Sequence, residues 1–310
     1  MYDVVLLTLE DEPGGGCSGG CSDGCSSTPR VPVLACRDAL VAGGARVRTV
    51  TAHSDQEIDA VLDSTDARLV VAAATDGEVR AVVRRMVRRY APPPSKRPDD
   101  LPADRTLPDL PPIGILSMGP ARAASRGGPD PSPTGGVQLV QRLGLPSEPA
   151  QVAAAVLAGH TRRLDLLRND GGSVTLHGAL LGGSDDTGRA VPYAAQVNVD
   201  DTVLSDGSEP LLAVAIANGD GYATVDDLPL VAKADAADGV LDVAVALPVT
   251  SRRWFGRREV RVEVRRARGR AVAVQPFAEV PFVDDGVQSS LTRKRTWWME
   301  RGAWAVFCAG

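Results

Sequence analysis

Over the first half of the chain, short blocks of uninterrupted apolar residues alternate with stretches of helical spacing. Val4 to Leu9 is an apolar run closed by Glu10-Asp11-Glu12-Pro13, which reads as a buried strand ending at a turn. Pro32 to Ala42 has helical spacing and stops at Gly43-Gly44. Arg46 to Thr51 reads as a strand, Asp55 to Leu62 as a helix, Leu69 to Ala74 as a second buried strand and Val79 to Tyr90 as a helix. Ile113 to Leu116 is a further strand, and Val137–Leu143 and Pro149–Leu157 are helices. Strands alternating with helices predict a parallel sheet with helices packed on it. Beyond about residue 160 the period changes. Short alternating segments at 173–181, 195–199, 211–217, 240–247, 259–265, 271–276 and 303–308 predict a mostly antiparallel β unit. Val260–Val264 and Ala271–Val274 bracket Ala267-Arg268-Gly269, the signal of a β-hairpin.

The predicted fold class is therefore α+β in two domains. Residues 1–145 form an α/β domain, and residues 146–310 form a β-sandwich-like domain. Two interruptions stand out in the first domain. Residues 13–28 are rich in Gly, Ser and Cys. Residues 91–112 hold eight prolines among charged residues and predict an exposed, poorly ordered loop.

Composition narrows the function. A chain of 310 residues accommodates about two domains at ~150 residues each. The formal charge of −5 supplies no basic field for nucleic acid, and 4% aromatic residues supply few stacking platforms, so nucleic acid is not an expected partner. No apolar run reaches the ~18 residues of a membrane helix, and the N-terminus lacks a basic leader, so a cytoplasmic protein is expected.

Cys17, Cys21 and Cys25 stand four residues apart in the Gly-rich loop after the first strand, and Cys36 follows. Thiolates in such a loop are ligands for zinc or an Fe–S cluster. A redox thiol set and a loop with idle thiols are the alternatives. The spacing matches neither the C-x2-C of zinc ribbons nor a ferredoxin run. His53, His160 and His177 form no ligand pair, and each reads as structural. Arg84, Arg85, Arg88 and Arg89 read as a solvated helix face; a contact with anionic headgroups is the second reading. Trp254-Phe255 among arginines has the same two readings.

Four stretches, in order, resemble the diacylglycerol kinase catalytic-domain family, which includes bacterial lipid kinases and shares a nucleotide-binding core with NAD kinases. Val70-Val71-Ala72-Ala73-Ala74-Thr75-Asp76-Gly77-Glu78-Val79 is similar to its strand, Gly-Gly-Asp-Gly-Thr turn and helix. Ile113-Gly114-Ile115-Leu116-Ser117-Met118-Gly119-Pro120-Ala121-Arg122 is similar to its next strand and turn. Ala215-Ile216-Ala217-Asn218-Gly219, then Ala237-Asp238-Gly239-Val240-Leu241-Asp242, resemble its Asn-Gly turn and its Asp-Gly-x-Leu-Asp segment. Asp284-Asp285-Gly286-Val287 and Trp298–Trp304 resemble its Asp-Gly-Glu segment and closing strand. Gly159, Arg163 and Asp165 sit where the family joins its two domains.

The resemblance spans roughly residues 60–308 and implies that residues 1–145 are an α/β nucleotide-binding-like domain and that the last strand of the second domain returns toward the first. It implies ATP-dependent phosphorylation of a lipid hydroxyl, with ATP and Mg2+ required, a lipid substrate or membrane surface as partner, and a homodimer. It implies that Asp76, Gly77, Glu78, Gly119 and Arg122 meet the nucleotide, that Asn218 meets the substrate, and that Asp285 and Asp238 are catalytic, with Asp285 as base.

The motifs depart from the family where the chemistry is. Its leading glycines are Ala74 and Thr75, its threonine is Glu78, its glutamate is Val287, and Pro120 removes an amide donor. A carboxylate ~4 Å from a phosphate costs about 4 kcal/mol at an effective dielectric near 20. Glu78 equally suits the first turn of a helix, where an acid is favoured. An impaired lipid- or nucleotide-binding pseudokinase is therefore the alternative to a lipid kinase, and a metal- or redox-responsive module on the cysteine loop is the third reading.

Overall fold

The structure, a computed structural model, describes residues 2–10, 31–63, 66–91, 96–103, 105–108, 110–119, 137–225, 228–252 and 258–310. Cys17, Cys21, Cys25, Arg122 and Trp254-Phe255 lie outside the described residues. The elements run β1 (Asp3–Leu9), α1 (Val31–Ala42), β2 (Arg46–Ala52), α2 (Asp55–Asp63), β3 (Arg68–Ala73), α3 (Asp76–Tyr90), β4 (Ile113–Ser117), α4 (Gln138–Arg142) and α5 (Pro149–Ala158). They continue as β5 (Thr161–Asn169), β6 (Val174–Thr175), β7 (Gly178–Leu181), β8 (Ala195–Val199), β9 (Thr202–Asp206), β10 (Ala213–Ala217), β11 (Thr224–Val225) and β12 (Leu228–Pro229). The last are β13 (Leu241–Arg252), β14 (Arg258–Gly269), β15 (Ala271–Pro276), β16 (Val280–Asp284), β17 (Val287–Leu291) and β18 (Arg295–Phe307).

β1 to β4 form a parallel sheet in the order β2-β1-β3-β4. Side chains alternate across a strand, so the unbroken apolar runs of β1 and β3 need cover on both faces. Val4, Leu6, Val70 and Ala72 point to one face, where α1 and α5 supply Val33, Leu40, Val152 and Val156. Val5, Leu7, Leu69 and Val71 point to the other, where α2 and α3 supply Ile58, Val61, Val79, Val83 and Met86. The ionic contacts of α3 follow from this packing. Arg84 and Arg85 grip Asp55, Arg85 also grips Asp59, and Arg89 pairs with Asp63, so these three cations are engaged with α2.

The same sheet continues through β18, which pairs with β4 in parallel at Val306 and Ile113 and then with β5 and β15. β8 and β9 close this edge. An antiparallel second sheet, β14-β13-β10-β7-β16-β17, packs on this antiparallel part through Val197, Val272, Val274 and Trp297 against Leu181, Ile216, Val243 and Phe282. Trp297 is thus a core residue.

Two expectations fail for physical reasons. The hairpin at Ala267-Arg268-Gly269 does not form. β14 runs straight to Gly269 paired with β13, and the chain then crosses to the large sheet as β15. The crossing is fixed by the Asp200 carboxylate, which accepts the amides of Arg270 and Ala271 at 2.9 Å each. The proline-rich stretch is not loose throughout. Leu107 and Leu110 are buried in the core, and Arg97 reaches the buried Glu300 of β18 at 2.7 and 3.2 Å. Prolines bar helix and sheet, but they do not stop leucines from packing.

Candidate functional site

Three turns meet where the parallel sheet's helices touch the second sheet. The first joins β3 to α3. Thr75 takes an extended backbone, and its hydroxyl accepts the Glu78 amide at 3.3 Å, while the Glu78 carboxylate reaches back to the Ala74 amide at 2.8 Å. This is a variant of the capping box, T-x-x-E, in which the glutamate reaches the amide one residue before the N-cap. It satisfies, from within the chain, amide groups that a helix N-terminus would otherwise offer to an anion. Asp76 turns the other way, and its Oδ1 accepts the Leu139 amide of α4 at 3.0 Å.

The second turn joins β16 to β17. Asp284 pairs with Val287 across the hairpin, leaving Asp285-Gly286 as a two-residue loop with φ of 47° and 80°. Both positive angles mark a type I′ turn, for which Asp-Gly is a favoured sequence. Neighbouring residues of an extended strand point to opposite faces, but the left-handed backbone at Asp285 lets both the Asp284 and Asp285 carboxyls be buried in the same cluster. Asp285 accepts the amides of Leu176, His177 and Gly178 at 2.7, 2.9 and 3.1 Å. Asp284 accepts the Thr175 hydroxyl at 2.6 Å and pairs with Arg80 of α3 at 3.0 Å. Arg80 also donates to the carbonyls of Val174 and Asp284, both at 2.8 Å. The two turns touch: a Cβ on Gly77 would lie 2.7 Å from the Val287 side chain, so any larger residue there has to push Val287 aside.

The third wall is the 218–222 turn with α4. The Arg142 guanidinium lies 2.9 Å from His177 Nε2 and donates to Gln138 at 2.9 Å. His177 packs edge-on against Tyr222, with ring centroids 4.9 Å apart, and its Nε2 lies 3.2 Å from the Asp220 carbonyl. The Tyr222 hydroxyl is buried with no hydrogen-bond partner.

Burial dominates the electrostatics. It lifts the Asp76 carboxyl to about 7, helped by the charge of Asp285 and opposed by the Leu139 amide and Arg142. It lifts Asp284 to about 7, with Asp285 adding repulsion and Arg80 opposing. Asp285 is also raised by burial, against Arg80 and its three amides. His177 is pushed down to about 3 by burial and by Arg142, so its ring is neutral.

The residues singled out in sequence therefore divide. Asp76, Gly77, Glu78 and Asp285 come together. Gly119 stands just past β4, its carbonyl accepting the Ser117 hydroxyl at 3.0 Å. Asn218 is fully buried and donates to the carbonyls of Asp165 and Leu176 at 2.8 and 2.9 Å. Asp238 stands at a turn before β13, where it accepts the Val240 amide at 3.1 Å and pairs with Arg268. Its neighbour Gly239 donates to Asp165 at 2.6 Å, and Gly302 donates to the other oxygen of Asp165 at 2.6 Å. Arg142, His177 and Tyr222 carry no local sequence signature and come together only through the fold. Among the described residues, no cluster of three or more His, Cys, Asp or Glu side chains is placed to hold a metal ion. None of the described helices is long and apolar enough to cross a membrane.

No family model and no curated protein sequence matches the chain. Solved structures do. A diacylglycerol kinase from Bacillus anthracis str. Sterne superposes with a TM-score of 0.60 at 13% identity, over 98% of this chain and 96% of that one. Another protein of that organism, provisionally assigned as a diacylglycerol kinase, superposes with a TM-score of 0.60 at 14% identity, over 98% and 97% of the two chains. The chain has the fold of diacylglycerol kinases.

Proposed function

We propose that this chain uses the lipid-kinase fold as a lipid- or nucleotide-binding protein that has lost phosphoryl transfer. One observation carries the reading: the Glu78 carboxylate occupies the Ala74 amide in the turn that leads into α3. A phosphate at that turn would have to displace a carboxylate already bonded there and would then face its charge. Two further features agree. Val287 stands over Gly77, at the position where the family's second acid would be. Asp285, the expected base, has both oxygens committed to three buried amides. The described residues therefore do not fit an ATP–Mg2+ cradle, and no step is derived through one.

A second reading, an active lipid kinase, is favoured by Asp76. Its carboxyl sits at about 7, a value suited to accepting a hydroxyl proton near neutral pH. In that reading Asp76 rather than Asp285 is the base. The test measures ATP-induced thermal shifts with Mg2+, and phosphate transfer to diacylglycerol or a sphingoid base in mixed micelles. We expect no transfer by the natural protein, and an ATP shift that appears or grows in Glu78→Thr. Turnover of a lipid by the natural protein overturns the proposal and selects the second reading.

A further inference from the structure

β17 is the outer strand of the second sheet and pairs with β16 alone. The register shows which of its backbone groups are spent. On β16 and the turn after it, the Pro281 carbonyl accepts the Gly182 amide and the Asp285 amide donates to Gly178, so both bond toward β7. Successive residues of an antiparallel strand turn their backbone groups to opposite sides. Val280, Phe282 and Asp284 therefore bond toward β17, where they stand opposite Leu291, Ser289 and Val287. Gln288 and Ser290 are left with amide and carbonyl directed out of the sheet, and no described residue bonds to them.

Proteins blunt such edges with charge, proline or a break in register. Three other outer strands of the two sheets follow this rule. β2 carries exposed Arg46 and Arg48, β14 carries Arg261, Glu263, Arg266 and Arg268, and β9 carries Asp206 and a register shift. β17 has none of these. Val287-Gln288-Ser289-Ser290 is uncharged and exposed on both faces. Val287 remains 45% exposed although it touches the Gly77 turn. The strand is nevertheless held at both ends, by the Asp285-Gly286 turn and by Leu291 in the core.

The surroundings set the charge of an occupant. Past Leu291 the chain runs through exposed Arg293 and Lys294, and neither has an ion pair among the described residues. Glu279 is brought toward them by the pairing of Val280 with Leu291, but bonds to neither. The acids at the other end of the strand, Asp284 and Asp285, are buried. A second copy of β17 laid antiparallel on the first would set uncharged residues against uncharged ones and leave the cations of both copies unanswered.

We propose that the β17 edge is a docking surface for an extended acidic segment of another protein, which adds to the six-stranded sheet as a further antiparallel strand. Gln288 and Ser290 supply the ladder, Val287 meets an apolar residue of the segment, and Arg293 and Lys294 meet acids at the segment's N-terminal end. The inference does not depend on what the cleft binds.

The probe is acetyl-Glu-Glu-Thr-Val-Thr-Val-Thr-Val-amide, with Lys-Lys in place of Glu-Glu as its control, added to the intact labelled protein at low salt. Amide exchange followed by NMR reads the edge. With about nine-tenths of the protein bound, the Gln288 and Ser290 amides should exchange about tenfold more slowly than in the protein alone. The lysine peptide should bind about tenfold more weakly, because two exposed ion pairs become two repulsions. Arg293→Glu with Lys294→Glu should reverse the preference between the peptides. Ser290→Pro removes an outward amide and no bond to β16, and should abolish binding. No protection by millimolar acidic peptide overturns the proposal. So does equal binding of both peptides, which would make the edge indifferent to charge. So does protection that rises with protein concentration without peptide, which would assign the edge to a second copy. Should Ser290→Pro fail to fold, the charge-reversed variant, altered only at two exposed side chains, decides by its preference.

Discussion

Replacing Asp285 by asparagine separates a structural tie from a catalytic base. Oδ1 of Asp285 accepts two amides, from His177 and Gly178, and Oδ2 accepts the third, from Leu176. Asparagine offers one acceptor oxygen. It keeps the first two bonds and turns an NH2 group toward the Leu176 N–H. A buried donor left without an acceptor costs about 1–3 kcal/mol, and the two remaining bonds weaken because the acceptor is no longer charged. Relief of repulsion with Asp284 offsets part of this. The expected loss is about 2 kcal/mol. Asp285→Gly keeps the left-handed turn and orphans all three amides, so it should cost about 3 kcal/mol or more, a large share of a typical 5–15 kcal/mol. Urea unfolding reads both losses, and exchange of the Leu176, His177 and Gly178 amides localises them. With its charged neighbour gone, Asp284 should titrate below its present value of about 7. An Asp285→Asn protein within about 0.5 kcal/mol of the natural one, with those three amides equally protected, would refute the reasoning.

Two other outcomes follow from buried groups elsewhere. Arg97→Ala leaves Glu300, fully buried on β18, with the Trp298 indole N–H at 3.0 Å and the more distant Arg168 at 3.7 Å, and should destabilise by about 2 kcal/mol; the Arg97→Met, Glu300→Met pair should recover part of the loss, as urea midpoints in a double-mutant cycle would show. Burial pushes the Cys36 thiol up to about 11, so iodoacetamide near neutral pH should leave Cys36 unmodified in the native protein and modify it in urea, by peptide mass mapping.

The first half of the fold was legible because its signals are local. Val4–Leu9 and Leu69–Ala74 need cover on both faces whatever their neighbours are, and the spacing of Val79, Val83 and Met86 marks one helix face. The pairing of β14 was not local. Its sequence suits a hairpin with β15 as well as one with β13, and the choice rests on Asp200, about 70 residues upstream, catching two amides. The proline-rich stretch misled because prolines report on backbone alone, whereas Leu107 and Leu110 find a core that only the return of β18 creates. Arg142, His177 and Tyr222 lie on three separate elements, and nothing in their spacing announces that they meet.

The hydrogen bonds of the site show what holds the matched residues in place. Asp165 accepts the amides of Gly239 and Gly302, which brings two of the matched motifs onto one carboxylate. Its own carbonyl accepts Asn218, which also donates to Leu176, and the Leu176 amide in turn donates to Asp285. The matched residues Asp165, Asn218 and Asp285 thus form one connected chain of buried hydrogen bonds through the meeting point of the two sheets. Each is held by the cost of an unpaired buried polar group, a constraint that does not depend on turnover. Ala74, Thr75, Glu78 and Val287, the positions that depart, have no such duty to the sheets. Glu78 and Thr75 even stabilise α3 through the capping box. Fold stability alone would preserve the first group and leave the second free to change.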